Sequence, residues 1–204
     1  MPESQENPRL YNILAKFKDY TEGTRVMFLM SRRKDENGDK RSEKIRKIIT
    51  TSHDEFSNAL NLFLNAQDKA FSFGMNLRIY SSVNARNMNK AIREFKQRQL
   101  DRDFDSIQIR NQFYCLVKDQ FISCMMKQHC KETSFFLLDV DQEDATEIFI
   151  HIENLNEAGK NIKILGSFPT KNGWHVITTP FDPKYVDGIK NVSVQKDGLL
   201  LLSY

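Results

Sequence analysis

The sequence predicts an α+β fold: a mixed sheet with helices on one face, beside an N-terminal helix/strand lobe. Two patterns carry this expectation. Helical and strand-like periodicities alternate along the chain, and the last third holds short strand-like runs separated by turn residues. Apolar residues make up 40% of 204, enough for one sizeable core with a small appended lobe. The chain reads as a single domain, 1–204, in which 1–75 form the lobe and 76–204 the core that bears the chemical motifs.

The elements follow in order. After Pro8, Leu10, Ile13, Leu14 and Phe17 recur at helical spacing, an apolar face that suits the core or a partner. Thr24 to Ser31 reads as a strand. Arg32 to Lys47 is charge-rich around Asn37-Gly38, a tight-turn pair, so a charged hairpin returns through Ile45 to Thr51. Ser52 to Asp54 starts a helix with Phe56, Leu60, Phe63 and Leu64 on one face, and Gly74 ends it. Phe71 and Phe73 are assigned to the core with Phe56 and Phe63. Asn76 to Val83 alternates as a strand, Met88 to Leu100 is a basic helix, and Asp105 to Cys130 is a longer helix without Gly or Pro. Ser134 to Asp141 is a strand, Glu143 to Ala158 a helix closed by Gly159. Strands are expected over 161–166, 173–179, 191–195 and 199–203.

Composition narrows the function classes. A net charge of +3 is no polycation, so nucleic-acid contact must come from local patches. Three cysteines without a disulfide spacing, together with the absence of a signal peptide, point to the reducing cytoplasm. The apolar runs are too short to cross a bilayer, and no membrane partner is expected.

The chemistry concentrates in three short segments. In Phe135-Phe136-Leu137-Leu138-Asp139-Val140-Asp141, strand alternation points both carboxylates to one face, about 7 Å apart. Two such acids repel unless a cation lies between them, and hard oxygen ligands suit Mg²⁺ or Mn²⁺. In Thr170-Lys171-Asn172-Gly173-Trp174-His175, a lysine and a histidine flank a glycine at a loop–strand junction, an arrangement that can hold an anionic phosphate. In Gln195-Lys196-Asp197-Gly198, a further acid stands between two strands; taken alone, Asp197-Gly198 is a hairpin-turn pair. Taken alone, Asp-x-Asp also suits a helix cap, and the histidine suits a core position.

In that order the three segments resemble the signatures of the archaeo-eukaryotic primase superfamily, the primase–polymerases. Those signatures are an acidic pair in a hydrophobic strand, a short motif ending in histidine, and a final acid. The resemblance spans roughly residues 70 to 204. It implies a C-terminal sheet related to the RNA-recognition fold, with Asp139, Asp141 and Asp197 holding two divalent ions, Mg²⁺ or Mn²⁺. It further implies that His175 contacts the phosphates of an incoming nucleoside triphosphate. The activity implied is nucleotidyl transfer by in-line displacement, from NTP or dNTP to a nucleic-acid end or template. A partner from replication or a mobile element belongs to the same picture. Gly173 departs from the serine that the family often carries two positions before the histidine.

Several further residues bear on the reading. Arg78, Tyr80 and Arg86 interleave charge and aromatic character, and Lys90, Arg93, Lys96 and Arg98 follow on the next helix. They read either as a cradle for template or nucleotide phosphates, with Lys171, Arg78 and Arg86 at the nucleotide, or as an ordinary solvated face. Cys115, Cys124, His129 and Cys130 lack a Cys-x-x-Cys knuckle and lie in a helical pattern, so buried thiols are expected rather than zinc. Two other functions remain open: a metal-dependent nuclease or phosphodiesterase, and a catalytically inactive nucleic-acid-binding domain.

Overall fold

A computed structural model of the chain describes residues 8–17, 21–31, 44–103 and 116–204. The charged hairpin turn expected around Asn37-Gly38, within 32–43, and the stretch 104–115 with Cys115 lie outside the described residues. The protein is a mixed α+β molecule built on two antiparallel four-stranded sheets. By contacts it forms two compact units: Met1–Val83 with Ser134–Tyr204, and Asn84–Thr133. The first unit thus joins both ends of the chain, where sequence pattern had divided it at residue 75.

The first unit begins with helix α1 (Pro8–Phe17), strand β1 (Arg25–Ser31) and strand β2 (Lys44–Thr50). Helix α2 (His53–Ser72) follows, then strand β3 (Leu77–Ser82). The start of α2 is set by its own side chains. Ser52 Oγ accepts from the Glu55 N–H, and the Glu55 carboxylate reaches back to the Thr51 N–H and hydroxyl at 2.6 and 2.7 Å. Those donors hold the Glu55 carboxyl below its ordinary range. Past the helix end, Gly74 takes a φ of 75°, the left-handed turn that glycine adopts without a steric cost.

The C-terminal part supplies β4 (Phe136–Val140), α5 (Thr146–Glu157), β5 (Ile164–Pro169), β6 (Trp174–Thr178), β7 (Val192–Gln195) and β8 (Leu199–Ser203). The first sheet runs β2-β1-β3-β8 and the second β5-β6-β4-β7. β7 and β8 therefore belong to different sheets. Asp197-Gly198 is not the turn of a hairpin but the crossing from one sheet to the other. β5 starts three residues later than expected, because Asn156 of α5 binds both the Ile162 N–H and its carbonyl and keeps that segment out of the ladder.

Strand alternation assigns each face to a different core. Leu137, Phe168 and Ile177 of the second sheet share a cluster with Met27, Leu29, Ile79, Leu200 and Leu202 of the first, and with the buried face of α2. Phe17 joins it, with Leu10, Ile13 and Leu14 packed alongside, so the apolar face of α1 is spent on the core. Leu138, Val140 and Val176 point the other way, onto Ile148 and Ile152 of α5. Phe56 and Phe63 are buried as expected, but Phe71 and Phe73 are exposed. The Gln67 amide binds the carbonyl of Leu77, where β3 begins, and Ala70 is the last α2 residue in the core, so Phe71 lies just past its edge.

The second unit pairs α3 (Met88–Asp103) with α4 (Val117–Met125). The long helix expected to reach Cys130 stops at Met125, and Gln128–Cys130 form a single 3₁₀ turn. The cause is tertiary. The Asn87 N–H bonds the Cys130 carbonyl and the Glu132 N–H bonds the Ala85 carbonyl, which draws the chain out of the helical path. Burial pushes the thiols of Cys124 and Cys130 up from their ordinary value, as in inert core cysteines.

Glu94 of α3 ties this unit together through Lys127, Arg98 and His129. Lys127 foremost, then Arg98 and His129, hold its carboxyl below the ordinary range. A lowered folded pKa adds stability above the ordinary carboxylate range, and that stability is lost as pH falls through the folded value. Glu94→Gln is expected to cost about 1 kcal/mol or less in urea denaturation at neutral pH, because the carboxylate is partly exposed. The difference from wild type should shrink towards acid pH; a constant difference down to the acid limb would disprove the ion-pair role.

Candidate functional site

Two of the expected site residues meet on the second sheet. Asp139 of β4 and His175 of β6 are direct cross-strand partners, and their side chains share the face of Leu137 and Ile177. His175 Nε2 lies 3.5 Å from Asp139 Oδ1. His175 Nδ1 accepts from the Leu201 N–H of β8 at 3.3 Å, which leaves the ring proton on Nε2, towards the carboxylate. The Gln195 amide of β7 approaches the other Asp139 oxygen at 3.5 Å. The histidine is only 8% exposed, so it is clamped between two sheets rather than presented on a loop.

The other two aspartates are placed differently. Asp141 lies just beyond β4; its N–H bonds the Asn191 carbonyl at 2.8 Å and the residue is exposed. Asp197 is half-buried in the crossing between the sheets. The oxygen donors suit a hard divalent cation. Among the described residues, however, no three His, Cys, Asp or Glu side chains are placed to hold a metal ion together. As placed, the three aspartates do not make a ready-made metal cage, and neither do Cys124, His129 and Cys130.

Both glycines of the motifs are there for close approach, not for turn geometry. A Cβ on Gly173 would lie 1.9 Å from the Val140 carbonyl oxygen and 2.9 Å from the Gln142 nitrogen. A Cβ on Gly198 would lie 2.6 Å from Leu137 Cδ2 and 2.7 Å from Gln195 Oε1. Any side chain at position 173 meets the same obstacle: the β4 exit passes where it would stand.

The expected nucleotide-binding cations separate into two groups. Arg78 of β3 and Lys171 of the β5–β6 loop line one open cavity of about 580 Å³, with Arg9, Gln67, Asp68, Phe71, Met75 and Tyr204 among its other walls. Arg9 braces this cavity: it donates to Asp68, Gln67 and Ser203, each at 2.6 Å, and so ties α1 to α2 and β8. Arg86, by contrast, belongs to the second unit and is 0% exposed, so its side chain offers no surface to a dissolved phosphate. Its expected nucleotide contact is corrected on that ground. On α3, Lys90, Arg93 and Lys96 are exposed, while Arg98 is turned to Glu94. Phe71, Tyr204 and Arg9 were missed as site residues. Phe71 had a sequence signal, an aromatic on α2, but it reads as core; Arg9 and Tyr204 had none.

Gly173→Ser places a Cβ and a hydroxyl at this close approach. It is expected to destabilise the protein by about 1–3 kcal/mol through overpacking against the β4 exit, read as a lower urea midpoint. Unchanged stability would show that the close approach at 173 is not a constraint. In comparisons with known proteins, the chain matches no family model, no curated protein and no solved structure.

Proposed function

We propose that the chain is a primase-like nucleotidyltransferase domain that adds nucleotides from NTP or dNTP to a nucleic-acid end or template. The observation that carries this reading is the pairing of Asp139 with His175 on the central strands of a sheet ordered β5-β6-β4-β7. Counted within that sheet, the order is 2-3-1-4 with a helix after its first strand, which supports a split β-α-β reading, although a 3₁₀ turn at Pro183–Val186 stands where the second helix of that pattern would be. Two acidic and histidine motifs far apart in sequence thus share one face at its centre. The cavity shared by Arg78 and Lys171 holds cations suited to a triphosphate, though Asp139, Asp141, His175 and Asp197 are not among its walls.

In this reading Lys171 and Arg78 bind phosphate, and His175 orients Asp139 through its Nε2 proton. Binding of Mg²⁺ or Mn²⁺ at Asp139, Asp141 and Asp197 is a requirement of the reading, and its measurement is part of the test. A second reading, a nucleic-acid-binding domain without catalysis, is favoured by one observation: the three aspartates are not gathered into a common ligand group.

The deciding experiment follows incorporation of labelled triphosphates on a primed template with Mn²⁺, beside calorimetric Mn²⁺ titration. Wild type is expected to extend the primer, and Asp139→Ala to fall to background while melting as a folded protein. Equal incorporation by the variant would overturn the site. Hydrolysis without incorporation would turn the assignment to a nuclease. Oligonucleotide binding that survives loss of all three aspartates, with neither activity, would establish the binding domain.

A further inference from the structure

The cavity walled by Arg78 and Lys171 carries a feature that phosphate binding does not use. Phe71, on the last turn of α2, is 73% exposed and lines it, with Met75 and Tyr204 also exposed on its walls. A phenylalanine left this open gains little from burial, and with Met75 and Tyr204 it offers apolar surface inside a polar-walled cavity. The polar side of the cavity is cationic. Asp68 is bonded to Arg9, and Arg78 and Lys171 add two further positive charges. The volume of about 580 Å³ lies within the range of small-molecule sites.

A ligand matching both halves has an anionic end and a flat apolar end. We propose that this cavity is a nucleotide site in which Phe71 is the platform for the base, while Lys171 and Arg78 hold the phosphates. The inference rests on the nucleotidyltransferase reading for the identity of the phosphates and extends it by assigning the base. A planar ring on a planar ring gives contact area without a hydrogen-bond code. Phe71 therefore serves any nucleobase and contributes affinity rather than choice among bases. Arg9 acts indirectly. Its bonds to Asp68, Gln67 and Ser203 hold the end of α2 against β8, and so fix the wall that Phe71 stands on.

The test is calorimetric binding of ATP, and separately of inorganic triphosphate, to the full chain. Phe71→Ala is at an exposed position and should fold as wild type. It is expected to weaken ATP roughly five- to a hundred-fold and to leave inorganic triphosphate unchanged. Phe71→Trp should restore or tighten ATP binding. Lys171→Gln should weaken ATP and triphosphate alike. Wild-type ATP affinity in Phe71→Ala, with Lys171→Gln still impaired, would overturn the base platform and leave the nucleotide reading standing. Equal losses of ATP and triphosphate in Phe71→Ala would overturn it too, since the effect would then be structural. Failure of wild type to bind either ligand would remove both.

Discussion

The chain's passage from one sheet to the other at Lys196-Asp197-Gly198 is the constraint on which the rest depends. β7 ends in the second sheet and β8 begins in the first, so a few residues must join two layers without a loop of their own. That crossing is held by packing and by backbone. Gly198 lies against Leu137 with no room for a Cβ, and its carbonyl accepts from the Val83 N–H. From there β8 lies beside β3 and closes the first sheet. Its Leu201 N–H meets His175, and its Ser203 meets Arg9 and Gln67. One strand thus completes a sheet, fixes a histidine tautomer and braces a cavity wall.

The polar pair at Asp139 and His175 is placed on the face that elsewhere packs the two sheets together. A carboxylate on such a face needs partners, and histidine and Gln195 provide them. The neighbouring cross-strand pair on the same face, Leu137 and Ile177, holds the strands in a register in which a one-residue slip of either strand would turn its own polar group to the α5 side. The position of the chemistry is therefore set by the hydrophobic pattern around it. The cavity at Arg78 and Lys171 has the same origin: its cations come from a strand and a loop of two different sheets, brought together by a shared core.

Most elements were legible in the sequence because their signals are local. Alternation marked β3, a buried apolar run marked β4, and Ser52 to Asp54 marked the start of α2. The Asp-x-Asp and Gly-x-His segments stood out in the sequence because charged and titratable residues are costly in buried strands unless they find partners. Where prediction missed, a distant contact had overruled a local preference. Nothing in 105–130 breaks a helix, yet pairing with Ala85 and Asn87 ends it before Cys130. Asn156 withholds residues 161–163 from β5 in the same way.

The sequence by itself determined where most helices and strands lie, which of their faces are mainly apolar, and which residues carry charge, since these follow from side-chain type and period. Only the tertiary structure decided that β7 and β8 part company, that Asp139 faces His175, that Arg86 is enclosed and that Phe71 is open. Each of these depends on which strand lies beside which and on where a core stops. Partners far apart along the chain meet only after both sheets have formed, and no local window contains them.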